Sequence, residues 1–228
     1  MKGYTTNIDA FFDILRTCVN YIPVCLFTAA SAILLGLIFG IILTVLRVSK
    51  VRLLKWLANT YVIIVRSIPS ILLLLIVYYI ARYGFAEAAA GIPPLTIAVM
   101  ALSISGAAFL SNTIKSALSS VDKGQMDAGL SIGMKRSVVF SRYILPQAVP
   151  VAIPMLGNQM ISMLRATSLI SYVGVMDIVM AGKTKGTLYS NNLEAYFAEA
   201  VIYWILTILL ERIFFLVNKR NKWHYAME

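Results

Sequence analysis

Long uncharged runs alternate along this chain with short polar or basic stretches. Residues 21–46, 92–114 and 143–164 carry no charged side chain, and 56–81 carries only Arg66. About 20 apolar residues in a helix cross the hydrocarbon core of a bilayer, so these four runs predict spanning helices. A fifth is weaker. Residues 200–210 lie between Glu199 and Glu211 and become long enough only with Ala195–Phe197 and Ile213–Val217, which would put both glutamates near the interfaces. The pattern predicts an all-α integral membrane protein with five transmembrane helices, about 20–46, 56–81, 92–116, 143–172 and 196–217, in a single domain over 1–228. The fourth segment carries Pro146, Pro150 and Pro154. Proline removes a donor and bends a helix, so this segment is expected to be broken and packed inside protein.

The charges between the runs set an orientation. Arg47, Lys50, Arg52 and Lys55 follow the first run. Lys115, Lys123, Lys135, Arg136 and Arg142 outnumber Asp122 and Asp127 in the third connection, and the tail carries Lys219, Arg220 and Lys222. Basic loops stay cytoplasmic. The N-terminus is then outside, with the 82–91 and 177–195 loops, and the C-terminus is cytoplasmic. Composition agrees: 60% of the residues are hydrophobic and 13% charged, with a net charge of +10. That excess suits a cytoplasmic face beside anionic lipid; no basic patch interleaved with aromatics suggests nucleic acid.

Several chemistries have little to build on. His224 is the only histidine, which leaves no basis for a histidine metal cluster or a nucleophile–histidine pair. Catalytic and metal residues are therefore expected to be absent. Gly182-Lys183-Thr184 resembles the end of a phosphate loop, but Asp177 stands where the pattern requires glycine, and the stretch falls in an expected outside loop. Cys18 and Cys25, on one straight helix, would be too far apart to bridge and read as small packing residues. Asp9, Asp13 and Arg16 argue against a cleaved signal peptide.

The stretch DAGLSIGMKRSVVFSRYILP, residues 127–146, is too polar to cross a bilayer and too patterned for a simple turn. Ala128, Gly129 and Ser131 allow close approach of another surface, and Gly133 can take positive φ between two short helices. An amphipathic interfacial helix is the plain alternative. The arrangement resembles the EAA motif of ABC importer permeases, in which Glu-Ala-Ala is followed after three residues by Gly and nine residues later by Ile-x-Leu-Pro. Here Asp127-Ala128-Gly129, Gly133 and Tyr143-Ile144-Leu145-Pro146 keep that spacing. Lys123-Gly124-Gln125, Pro146-Gln147-Ala148, Arg66-Ser67-Ile68-Pro69, Leu156-Gly157-Asn158-Gln159 and Thr167-Ser168-Leu169 are similar to the polar amino-acid subfamily. The resemblance covers about residues 20–218.

That resemblance implies a type I ABC importer permease in a bacterial-type inner membrane. A second permease subunit, the same or a sister chain, two cytoplasmic ABC ATPases and an external amino-acid-binding protein would be its partners. No cofactor is expected in this chain; ATP-Mg would sit on the ATPase. The loop 118–145 would couple to that ATPase through Asp127, Ala128, Gly129, Leu130, Ile132, Gly133 and Met134. Polar groups within spans default to functional hypotheses, which makes Arg66, Asn112, Asn158, Gln159, Arg165, Thr167 and Ser168 the candidate solute contacts. Where many relatives carry acids, this chain has Asn112 and Arg165-Ala166, which points to a neutral, polar or sulfur-containing amino acid. A secondary transporter or channel working without an ATPase is the alternative. Five spans without an internal repeat or an evident intramembrane acid count against it.

Overall fold

The computed structural model describes residues 8–85 and 91–225, with side chains described as far as residue 216. Residues 86–90 of the expected 82–91 loop, and the side chains of the basic tail, lie outside the described residues. Those described form helices α1 (Ile8–Val19), α2 (Ile22–Val48), α3 (Arg52–Ser67), α4 (Ser70–Tyr79), α5 (Pro94–Ser119), α6 (Gly124–Ser131), α7 (Arg136–Val139), α8 (Leu145–Ala166), α9 (Ile178–Tyr189) and α10 (Asn192–Tyr225). Short π-helical stretches extend α4 (Ile80–Gly84) and join α7 to α8 (Phe140–Ile144). A 3₁₀ stretch, Thr167–Val173, follows α8. Among the described residues, three helices are long and apolar enough to cross a membrane: Ile22–Val48, Pro94–Ser119 and Arg136–Val173. The pair α3–α4 makes a fourth if it is counted as one bent span.

Proline acts differently at its several positions. The expected 56–81 helix is not one rod. It bends by 110° between Ser67 and Ser70, where Pro69 sits at φ −53°, ψ 135°. Pro69 lacks a donor and pushes Ile68 out of the helical region. Residues 143–172, by contrast, are not broken as expected. Pro146 lies in the first turn of α8, where a missing N–H is harmless, and α8 runs on through Pro150 and Pro154. Four-residue spacing puts their missing bonds on one face. Nor is this helix packed away within the chain: Val149, Val151 and Met155 are exposed.

The helices gather into two compact units. The first comprises Met1–Leu34, Ile68–Ser103 and Ser162–Leu210; the second comprises Leu35–Ser67, Ile104–Ile161 and Glu211–Glu228. In the first, amphipathic α1 buries Ala10, Ile14 and Cys18, spaced four apart, and packs on α9. Asp13 joins the two helices, 3.0 Å from Lys185 Nζ and accepting from Tyr189 Oη at 2.6 Å. Those contacts, Tyr189 foremost, hold the Asp13 carboxyl below its usual range. Around Ile14, Cys18, Cys25, Ala29, Leu164, Ile178 and Ile202 lies the core of this unit. The two cysteines do not share one helix: Asn20 and Tyr21 form a turn between α1 and α2. Both are free and buried.

In the second unit, α2 lies close against α5 at Gly36 and Gly40. A Cβ on Gly40 would sit 3.1 Å from Leu110 Cβ and 3.2 Å from the Ala107 carbonyl. Two small residues four apart let helix backbones approach without side chains between them.

Candidate functional site

The 127–146 stretch folds as two short helices that lead into α8. α6 ends at Ser131 with Ile132 as its C-cap, and Gly133 follows at φ +81°, the positive φ expected for a glycine at this place. The Met134 N–H donates to the Gly129 carbonyl (3.1 Å) and the Gly133 N–H to the Leu130 carbonyl (3.0 Å). This is the paired-bond ending of a helix that closes on a left-handed glycine. It leaves Leu130 41% and Ile132 77% exposed at the tip, with Asp127 and Ala128 also exposed and Met134 half-buried.

Gly129 faces the other way. It is buried, and a Cβ there would lie 2.5 Å and 2.9 Å from the two methyls of Val139, itself fully buried. The surface that needs a small residue at 129 is therefore the chain's own α7. Because α7 continues through the π-helical stretch into α8, this contact ties the exposed tip to a spanning helix. A push on Leu130 and Ile132 would reach α8 through packed atoms rather than a slack loop.

The candidate solute contacts divide between the two units. In the second, Arg66 occupies the last turn of α3, just before the Pro69 bend, with its guanidinium 5.6 Å from the Phe109 ring centroid. Asn112 is half-buried on α5. Asn158 is exposed and Gln159 half-buried on α8. In the first unit, Arg165 is exposed, and its carbonyl accepts from Ser168 Oγ at 2.8 Å. Thr167 is fully buried; its hydroxyl donates to the Leu164 carbonyl (2.7 Å) and meets Cys25 Sγ at 3.0 Å.

Sequence reasoning missed the partner of Asn112. Arg47, read as a solvated loop charge, is only 6% exposed, because α2 continues to Val48 and places it on a packed face. Its Nε donates to Asn59 Oδ1 (3.0 Å), Nη1 to Ser111 Oγ (3.2 Å) and Nη2 to Asn112 Oδ1 (3.4 Å). Thr44 Oγ1 lies 3.1 Å from Ser111 Oγ on the same patch. All three partners are neutral, so none of them offsets the charge of the guanidinium. The signal was present as four polar residues on apolar helices, Thr44, Asn59, Ser111 and Asn112, but only packing shows that they converge on one arginine.

Acidic groups are also buried. Glu199, expected near an interface, is 6% exposed and its carboxylate packs directly on Gly182. Asp177, read as loop, is 1% exposed and caps α9 by accepting from the Met180 N–H at 2.8 Å. Among the described residues, its second oxygen and one oxygen of Glu199 have no hydrogen-bond partner. Burial pushes the Asp177 carboxyl up to about 6, and burial beside these acids pushes the Cys18 thiol up to about 12, which leaves it an inert packing group. Residues 182–184 lie inside α9, so their backbone amides are engaged in the helix and form no phosphate cradle.

Residues 32–223 match the family described as binding-protein-dependent transport system inner membrane component. The chain is 37% identical over 90% of its length to the probable amino-acid permease protein YxeN of Bacillus subtilis, covering 91% of that protein. It is 34% identical to the L-cystine transport system permease protein TcyL of the same organism, over 97% of this chain and 93% of the relative. A crystal structure of an amino acid ABC transporter with histidines superposes with a TM-score of 0.85 at 26% identity, over 95% of this chain and 100% of the other. With its long apolar helices and type I permease fold, the chain belongs to the family of binding-protein-dependent transport system inner membrane components.

Proposed function

We propose that this chain is the permease subunit of an ATP-driven amino-acid importer, a single permease domain over 1–228 with five spans. The N-terminus faces outside, and the basic 115–142 region and C-terminus face the cytoplasm. It works beside a second permease subunit. Two ATPases carry ATP-Mg and dock on the 127–142 region, and an external binding protein delivers the solute. The observation that carries this reading is the exposed pair Leu130 and Ile132 on a tip closed by Gly133 and tied by Gly129 to Val139. It is an apolar plug on a rigid lever, the form needed for alternating access driven by a separate motor.

The solute is a neutral, polar or sulfur-containing amino acid. Asn112 offers no negative charge for a cationic side chain, and its oxygen is already engaged by Arg47. Arg66, with Asn158 and Gln159 in its own unit, and Arg165, beside Ser168 in the other, each suit an α-carboxylate, while Thr167 is sealed in the core; the cystine permease among the relatives supports the sulfur-containing class. Purification from its own cells should bring down an ATPase at one copy per permease, and uptake should require ATP and a binding protein. Cystine and neutral amino acids should compete with the solute and lysine should not; the reverse order refutes the substrate assignment. Solute movement by the chain alone, without ATP, refutes the importer reading.

A further inference from the structure

An apolar groove and a basic mouth meet at one end of the second unit. The groove has a volume of about 390 Å³ and is walled by α2, α5 and α8, with Leu37, Ile41, Ile114, Val149 and Leu156 among its lining. It shares Thr44, Val45, Leu118 and Phe140 with a second cavity of about 550 Å³, whose rim carries Lys115, Lys123 and Arg136. No acid lines either cavity among the described residues. Asp122 instead accepts from the Gly124 N–H at 2.6 Å. The charges that act on Lys115 are two more cations, Arg47 and Lys55. Positive charge therefore collects at the mouth without neutralisation, above a wall of exposed apolar side chains that includes Val45 (60%), Val48 (59%) and Ile41 (49%).

The depth is as informative as the charge. From Leu37 to Val48 the α2 wall rises by about 16 Å at 1.5 Å per residue. That is about half of a 30 Å hydrocarbon core, the depth of one leaflet. A ligand with an anionic head and a leaflet-long apolar tail satisfies both parts; a small anion leaves the groove empty. A second copy of this chain is a poorer occupant, because a two-fold contact through this face would bring its like-charged rims towards one another.

The geometry points to a binding site for one anionic phospholipid, its phosphate on Lys115, Lys123 and Arg136 and an acyl chain along α2 and α8. Basic pockets between transmembrane helices on the cytoplasmic side are a general form of lipid recognition. The site rests on the orientation proposed above. Lys123 and Arg136 border α6 and α7, so a bound headgroup braces the lever that carries Leu130 and Ile132.

The test uses the whole transporter, permease with its partner subunits, in mild detergent. Retention of labelled phosphatidylglycerol is measured against phosphatidylcholine, with and without inorganic phosphate. Phosphatidylglycerol should bind in preference to phosphatidylcholine and resist phosphate. Its affinity should fall roughly fivefold per charge removed, and on the order of a hundredfold in the triple variant Lys115→Gln, Lys123→Gln, Arg136→Gln. The charge-conserving variant Lys115→Arg, Lys123→Arg, Arg136→Lys should keep the preference, which separates lost charge from misfolding. Equal binding of the two lipids, an unchanged affinity in the triple glutamine variant, displacement by phosphate alone, or a disulfide between two copies through Val45→Cys would each overturn the site. Uptake in the same preparation separates the two readings. Transport without lipid preference overturns only this inference, and lipid preference without ATP-driven transport overturns only the importer assignment.

Discussion

Replacing Gly129 with alanine tests whether the tip is rigidly tied to its span. The added Cβ would lie 2.5 Å and 2.9 Å from the methyls of Val139 and 3.3 Å from its Cβ. Val139 cannot swing clear, because a β-branched side chain has one strongly preferred χ1 in a helix and this one is fully buried. Overpacking of this kind costs about 1–3 kcal/mol. Alanine returns up to about 1 kcal/mol through its better helix propensity, leaving a net local loss of about 0–2 kcal/mol. Val139→Ala alone removes two methylene equivalents, about 1.6 kcal/mol, and leaves a void. The double variant adds one carbon where two are removed across the same contact and should recover at least 1 kcal/mol, a coupling within the range for touching residues. The assay is protease cleavage within residues 118–145 of the intact complex, read beside ATP-driven uptake. Each kcal/mol of local destabilisation raises the opened population about fivefold. Gly129→Ala should therefore be cleaved several-fold faster and transport less, with Val139→Ala rescuing both. Additive effects of the two substitutions would refute the packed lever.

Three further outcomes follow from particular contacts. Gly133→Glu has open space around its Cβ, but the left-handed backbone costs an ordinary residue about 1–2 kcal/mol. It should uncouple uptake while the chain still inserts, whereas Gly133→Asn should be tolerated; equal uptake in all three proteins counts against the coupling role. Asp177, raised from 3.8 to about 6, costs the fold more as it ionises. Its contribution to stability is complete below about pH 4 and is lost as pH rises through about 6, by about 3 kcal/mol. Asp177→Asn keeps an acceptor for the α9 cap, so its melting temperature should exceed the parent's at pH 8 and converge with it at pH 4; a difference that does not change with pH refutes this. Gly182→Ala drives a Cβ into the Glu199 carboxylate and should lower the melting temperature sharply. Glu199→Ala should restore part of the loss, and no rescue would mean that the two do not touch.

Much was legible in the sequence because a bilayer imposes simple rules. Uncharged runs of about 20 residues have few structural options in lipid, so the long helices at Ile22–Val48 and Pro94–Ser119 follow closely from where charges are absent. Gly133 was equally readable: a glycine after a short helical run in a polar loop ends the helix by local backbone sterics, which depend little on anything distant.

What the sequence could not decide are matters of facing. Pro69 bends its segment by 110° while Pro150 and Pro154 leave α8 continuous, because the outcome turns on where each proline falls relative to a helix start and its neighbours. Arg47 looked like one more loop cation until α2 carried it against Asn59, Ser111 and Asn112. Gly129 looked like an opening for a partner until Val139 was found filling it. Glu199 has as its neighbours Gly182 and Asp177, separated from it in the chain and brought together by the packing of α9 and α10. By itself, the order of apolar runs, basic loops and helix-ending residues determined that this is a multi-span helical membrane protein with a polar loop of short helices, because those features act over one or two helical turns. Only the tertiary structure decided which polar side chains are sealed inside and which remain free to meet a solute, a lipid or a motor, because burial depends on what packs against each face.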